Sequence, residues 1–348
     1  MGTHSYLDIA TTVGYESEPA KAPGIALAVF LGLASLFGAA GNGLTILAVV
    51  IDRKLRSQSS SFLIANLAVA DMVVFVVIEP FLAFSTATTT WPFSRPLCAA
   101  LGALVIQHMA VAVCGMTAVA VNRYYSVVKR TSYQRVFTRR KTLVVCLATW
   151  LPGLLLILPL VTNPFFADYS TYFGICIITS QNIAIGRAIS VLTGLLILIG
   201  IVISLLCYLR IYKEVKDSRR RVKSLEPLPD DTRLPGGQHQ PPGSHENNIS
   251  RKPNPKQQIN QTEIAISLNL FMVFTVFCVC WTPITVLIFV LDANDRHFHD
   301  QSDLIPDWAW QTAYKMVLFN SSFNIFIYAW RNRNFRSAYA KLLRCPSR

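Results

Sequence analysis

The residues of this chain that could do chemistry stand out by where they sit. Asn42, Asp71, Asn320 and Asn324 interrupt otherwise apolar runs. A lone carboxylate at mid-membrane costs about 2.5 to 3.5 kcal/mol on insertion scales, so Asp71 needs partners that share its charge. Asn320 and Asn324 are four apart, hence on one face of a helix, and with Asn42 they could complete a polar centre around water or sodium. The eight cysteines are too few and too scattered for a disulfide-dense scaffold. None forms a CxxC and no pair has zinc-site spacing, so no metal centre is expected. Cys114, Cys146, Cys207, Cys278 and Cys280 lie in apolar segments and read as packing residues.

Such residues must be positioned by elements that lipid accepts. Of 348 residues, 52% are hydrophobic and only 15% charged, which excludes intrinsic disorder and fits a soluble domain poorly. Seven stretches, about 24 to 51, 61 to 87, 96 to 128, 141 to 161, 185 to 212, 263 to 291 and 307 to 330, are each long enough to cross the hydrocarbon as a helix. The polar residues within them require a bundle that shelters them, so the expected fold is an all-α membrane protein of seven transmembrane helices.

The net charge of +13 raises nucleic acid as a partner, but its distribution answers otherwise. Most of the 32 Lys and Arg residues lie in the connections after the first, third and fifth spans and in the tail, while the opposite face carries more acids than bases. By the positive-inside rule the N-terminus is extracellular, the C-terminus is cytoplasmic, and no nucleic acid is expected. Residues 1–23 form a polar extracellular segment without a signal-peptide core, and 24–330 form the membrane domain. Within it, 217–260 is rich in Pro, Gly and charge and reads as a disordered cytoplasmic loop. In 331–348, Phe335, Tyr339, Leu342 and Leu343 fall on one side of an amphipathic stretch and bases on the other. That pattern suits a short helix on the anionic inner leaflet, with Cys345 beyond it a candidate for palmitoylation.

Short motifs follow one another in a fixed order along these spans. They are Gly41-Asn42, the run Asn66 to Asp71, Cys98, Asn122-Arg123-Tyr124, Trp150, Tyr208, Cys280-Trp281-Thr282-Pro283, and Asn324 to Tyr328 followed by Phe335. In this order the chain resembles a rhodopsin-like (class A) G-protein-coupled receptor over nearly its whole length outside the 217–260 loop. Asn122 before Arg123, the run Cys207 to Ile211, Phe319-Asn320-Ser321-Ser322 and Asn334-Phe335-Arg336 resemble the melatonin-receptor-like group and its moody-type orphan neighbours.

The resemblance implies roles. Cys98 and Cys176, the two cysteines expected outside, would form a disulfide that pins the loop after the fourth span over the bundle mouth. Asn122, Arg123, Tyr124, Tyr208, Glu263, Phe277, Trp281, Pro283, Asn324 and Tyr328 would form the activation switch. Arg123 is expected to pair with Glu263, and that clasp breaks when the sixth helix swings out. Asn122 stands where an acid is usual, which implies a less restrained Arg123 and raised basal activity. Trp281 beside the Pro283 kink would act as a lever above Phe277. The Asp71, Asn42, Asn320 and Asn324 centre would hold sodium in the inactive state. Ala112, where a serine is frequent, leaves a water network without an ion as the alternative. Gly200 and Ile325 replace two customary prolines, so the fifth helix is expected to lack a bulge and the inner seventh helix to be straighter.

The implied pocket residues are Val105, Ile106, Met109, Ile284, Thr285, Ile288, Trp310 and Tyr314, with Gln107, His108, Gln181 and Arg187 nearby. Val105 occupies the position of the amine-binding acid, which disfavours amine ligands and favours a small lipophilic one. Retinal is not expected, because Leu318 holds the Schiff-base position and Lys315 lies one turn outward. The implied function is a plasma-membrane receptor, not an enzyme, that binds an extracellular ligand and activates a heterotrimeric G protein, the inhibitory class favoured. Arrestin, receptor kinases and membrane lipid are the further partners. The alternatives are an opsin-like light sensor and a transporter.

Overall fold

The computed structural model describes residues 22–162, 165–170, 175–180, 182–223, 261–293, 305–331 and 333–343. Its elements in chain order are α1 (Ala22–Ile51), α2 (Arg53–Arg56), α3 (Ser59–Val73), a π-helical turn (Val74–Ile78), α4 (Glu79–Thr88), α5 (Arg95–Val127), α6 (Arg130–Val136), α7 (Arg139–Ala148) and α8 (Leu151–Thr162). Then come β1 (Phe165–Ser170), β2 (Ile175–Ser180), α9 (Ile183–Lys223), α10 (Gln261–Ala293), α11 (Asp307–Arg331) and α12 (Arg333–Leu343). The spans are α1, α3 with α4, α5, α7 with α8, α9, α10 and α11. Among the described residues six of them are long and apolar enough to cross a membrane on composition alone. The seventh, α11, is diluted by Gln311, Thr312, Lys315, Asn320, Ser321 and Ser322 and is recognised by its packing against α10 and α1.

Lipid contributes no hydrophobic drive between helices, so close backbone approach and polar bonds fasten the bundle. The central helix α5 touches α3, α8, α9, α10 and both strands. Against α9 the approach is set by Gly200: a Cβ there would come within 2.5 Å of Val113 Cγ1 and 3.0 Å of Thr117 Oγ1. The Thr117 hydroxyl donates to the carbonyls of Val113 (2.9 Å) and Gly200 (3.3 Å). As expected without a proline, α9 is an unbroken α-helix. The bulge occurs instead in the second span, at the π turn ahead of Pro80. Pro80 has no N–H to offer the carbonyl four residues back, and a wider turn relieves the clash of its ring there.

The second, third and fourth spans share one polar seam. Trp150 Nε1 donates to Asn66 Oδ1 (3.0 Å), Asn66 Nδ2 to Thr149 Oγ1 (3.1 Å), and Gln107 Nε2 to the Trp150 carbonyl (3.0 Å). The fourth span turns at Thr149 and Trp150 because Pro152 has no N–H for the Ala148 carbonyl four residues back and its ring crowds that carbonyl.

Beside the helices of the expected bundle, β1 and β2 pair antiparallel in the loop after the fourth span, with Tyr169 opposite Cys176. The β-branched run Ile175 to Thr179 is the local signal for that hairpin. The helix α9 continues to Lys223, so 217–223 is helical where a disordered loop is expected; good helix formers extend the fifth span into water. Finally, Phe335 and Tyr339 of α12 are buried rather than laid on lipid, whereas Leu343 is exposed. Tyr339 is tied to Thr45 of α1 by a 2.7 Å hydrogen bond, and Lys341 pairs with Asp52 at 3.2 Å. As Thr45 already donates to the Gly41 carbonyl, the Tyr339 hydroxyl is the donor. Residues 1–21, 224–260 and Cys345 lie outside the described residues.

Candidate functional site

The site is built from the outer mouth inward. Cys98 at the head of α5 is joined to Cys176 in β2 by a disulfide, which lays the strand across the bundle. Gly102, one turn below, leaves room for it: a Cβ there would sit 3.1 Å from the Ile178 nitrogen and 3.3 Å from the Cys176 carbonyl oxygen. Outside this lid, Trp91 stacks on Tyr169 with ring centroids 6.3 Å apart.

Beneath β2 lies a cavity of about 160 Å³. Val105, Ile106, Met109, Ile284, Ile288, Trp310 and Tyr314 line it, and Thr285 does not. The Thr285 hydroxyl is bonded to the Trp281 carbonyl of its own helix at 2.8 Å. Gln107 is likewise turned away toward Trp150, and His108 and Arg187 are not in the lining. Gln181 lies outside the described residues. What sequence reasoning left unnamed are the lining residues of the lid and of the α9 wall, Ile175 to Ile178 with Ile189, Ser190 and Thr193. The α9 hydroxyls donate to their own helix, Ser190 to Gly186 and Thr193 to Ile189. The buried Tyr314 hydroxyl has no hydrogen-bond partner among the described residues, so it is a polar group the cavity offers a ligand.

Below the cavity Trp281 is fully buried and stacked on Phe277, centroids 5.1 Å apart. Pro283 lies inside α10, which runs continuously past it. Deeper still, Asp71 accepts a 2.6 Å hydrogen bond from Ser321. Ser321 is the chain neighbour of the expected Asn320, which is itself buried in α11. Asn42 spends its amide on the Gly38 carbonyl one turn back in α1 (2.9 Å). The third span brings Ala112, buried and without a side-chain oxygen, and no cluster of His, Cys, Asp or Glu fit for a metal occurs among the described residues.

One acid escaped the sequence reading. Glu79, at the start of α4, is completely buried, and neither carboxyl oxygen has a partner among the described residues. Its signal was simply an acid within an apolar span.

At the inner end Arg123 is buried, and its Nη2 donates to Asn122 Oδ1 at 3.0 Å. Asn122 therefore still restrains the guanidinium, through a neutral amide in place of a carboxylate. Tyr124 packs edge-on against Tyr125. Tyr208 is buried, stacked on Phe274 and edge-on to Phe271, its hydroxyl without a partner among the described residues. The side chains of Glu263, Asn324 and Tyr328 lie outside the described residues.

A family model described as 7 transmembrane receptor (rhodopsin family) matches residues 41–328. The chain belongs to the rhodopsin family of seven-transmembrane receptors. It is similar to melatonin receptor type 1B-B of Danio rerio, 27% identical over 96% of this chain and 86% of the relative. It is also similar to melatonin receptor type 1B of Homo sapiens (28%, covering 91% and 78%) and type 1A of Mus musculus (27%, covering 87% and 76%). The receptor is a multi-pass membrane protein related to melatonin receptors, and it signals through a G protein rather than catalysing a reaction. Retinal does not fit it: Leu318 is buried at the attachment position, and Lys315 is absent from the cavity lining.

Proposed function

We propose that the receptor binds a small, largely apolar, non-amine ligand under β2 and activates an inhibitory-class G protein. The observation that carries this reading is the cavity itself, apolar on nearly all sides, with Val105 where an acid would hold an amine and the Tyr314 hydroxyl to offer a ligand. Its relatives' names make melatonin the first ligand to test. Ligand pressing on Trp281 would move the Phe277 stack and swing the inner end of α10 outward about Pro283, uncovering Arg123. Tyr208, Glu263, Asn324 and Tyr328 belong to the same switch, with Asp71 and Ser321 as its polar centre.

The positive-inside distribution supports an extracellular N-terminus, a plasma-membrane location, and a basic cytoplasmic face for the G protein, arrestin, receptor kinases and anionic lipid. Cys345 is the proposed palmitoylation site. The neutral amide of Asn122 beside Arg123, where an acid is usual in the family, supports raised basal activity.

The test is nucleotide exchange on purified inhibitory, stimulatory and other G proteins by the full receptor in nanodiscs. It is run without ligand, with melatonin, and with a panel of lipophilic non-amines. Tyr314→Phe is expected to weaken an agonist that bonds the hydroxyl by about fivefold to tenfold, one hydrogen bond's worth. The absence of basal and agonist-driven exchange on every G protein refutes the reading.

A further inference from the structure

The seam between α10 and α11 on the lipid side is open rather than packed. A groove of about 700 Å³ runs over the outward face of α11 between α10 and α1, walled by Thr275, Val279, Trp308, Met316, Phe319 and Phe323. Trp308, Val279 and Phe323 are exposed, so these walls face lipid. A plain lipid-facing groove needs no charge, yet Lys315 lines this one.

The Lys315 ammonium donates to Gln311 Oε1 at 3.4 Å, one turn nearer the outer surface, and no carboxylate pairs with it among the described residues. A cation held within the membrane is costly unless something shares its charge, so the groove is electrostatically incomplete. Depth narrows what completes it. Exposed tryptophans mark the headgroup level. Gln311 is three residues below Trp308, which places the ammonium roughly 5 Å beneath that level. From the ammonium's level at Gln311 the walls continue to Phe323, roughly 18 Å along the helix, the reach of a long acyl chain. An acid group directly on such a chain can sink to this depth, whereas a phosphate carrying glycerol and a polar head stays above it.

We propose that this groove binds a long-chain fatty acid, its carboxylate on Lys315 and its chain along Met316, Phe319 and Phe323. Because α10 forms one wall, the occupant touches the helix that moves on activation.

The test is photocrosslinking of a diazirine-bearing palmitic acid to the full receptor in phosphatidylcholine nanodiscs, with adducts mapped by peptide mass spectrometry. Adducts are expected between Met316 and Phe323, with unlabelled palmitate competing and hexadecanol and cholesterol failing to compete. Lys315→Gln should lower the yield about tenfold, the loss of one charge-assisted contact, while Lys315→Arg retains it. Val279→Trp fills the groove from the lipid side without touching the charge and should lower the yield as much. If Lys315→Gln melts below the wild type, Val279→Trp and Lys315→Arg decide. Labelling that persists in Lys315→Gln or in Val279→Trp overturns the proposal. So does equal competition by hexadecanol or cholesterol, or the absence of adducts on α11.

Discussion

Asn122→Asp should lower the basal activity of the receptor. In the structure the buried Arg123 guanidinium gives Nη2 to Asn122 Oδ1 at 3.0 Å, and Asn122 Nδ2 is buried with no partner among the described residues. Aspartate at this position removes the orphaned N–H and converts a hydrogen bond to a neutral amide into one between ions. Hydrogen bonds to charged groups are worth roughly 1.5 to 3 kcal/mol net against roughly 0.5 to 1.5 for neutral pairs, and Arg123 already supplies half of that gain. The added restraint is therefore about 0.5 to 0.75 kcal/mol, and it acts on the closed state, where the pair is formed. That shifts the balance of closed over open receptor by a factor of about 2 to 4. The assay is ligand-free nucleotide exchange on the responsive G protein, with receptor normalised by its folded fraction. Asn122→Ala, which leaves Arg123 without this acceptor, should raise the same rate. Equal or higher basal exchange in Asn122→Asp refutes the reasoning, because it places the control of Arg123 elsewhere.

Further outcomes follow from the packing. Gly200→Ala drives a methyl against Val113 and Thr117 and should destabilise the α5 and α9 contact by about 1 to 3 kcal/mol, read as a lower melting temperature in detergent. Ser321→Ala strips a buried carboxylate of a donor and should cost about 1.5 to 3 kcal/mol, with Ser321→Thr recovering most of it in the same measurement. The anchoring of α12 should loosen in acid. Burial opposes ionisation of Asp52, but the Leu55 N–H, the Lys341 ammonium and the Lys54 N–H together outweigh it and hold the carboxyl below its usual range. A depressed folded-state value means the stabilisation is full above the free carboxylate pKa of about 3.9 and disappears as pH falls through the folded value. Hydrogen exchange at the Lys54 and Leu55 amides should rise below about pH 4 in the wild type. Asp52→Asn should show no such rise.

Much of the architecture was legible because lipid imposes strict terms on a chain. Span lengths, the inward placement of Asp71 and Asn320, and the amphipathic α12 follow from the cost of exposing backbone and charge to hydrocarbon. Seven of the eight residues expected around the pocket line the cavity beneath β2, because motif order along helices sets their heights. Thr285 is not in that lining: its hydroxyl takes a carbonyl within its own helix, a choice that spacing does not reveal.

What the sequence determined by itself is which segments enter the membrane, which face of the bundle carries the positive charge, and that the embedded polar groups must meet one another. Which of them meet was decided only by the tertiary structure. A membrane helix is apolar toward lipid and toward its neighbours, so its periodicity does not say which side faces in, and adjacent residues differ by about 100° around the axis. That angle separates Ser321, bonded to Asp71, from Asn320, and it turns Lys315 out of the ligand cavity and into the groove beside α10. The disulfide that holds the loop over α5 is implied by the resemblance, but that the loop pairs as a hairpin whose Ile175 to Ile178 line the cavity was decided only by the tertiary structure.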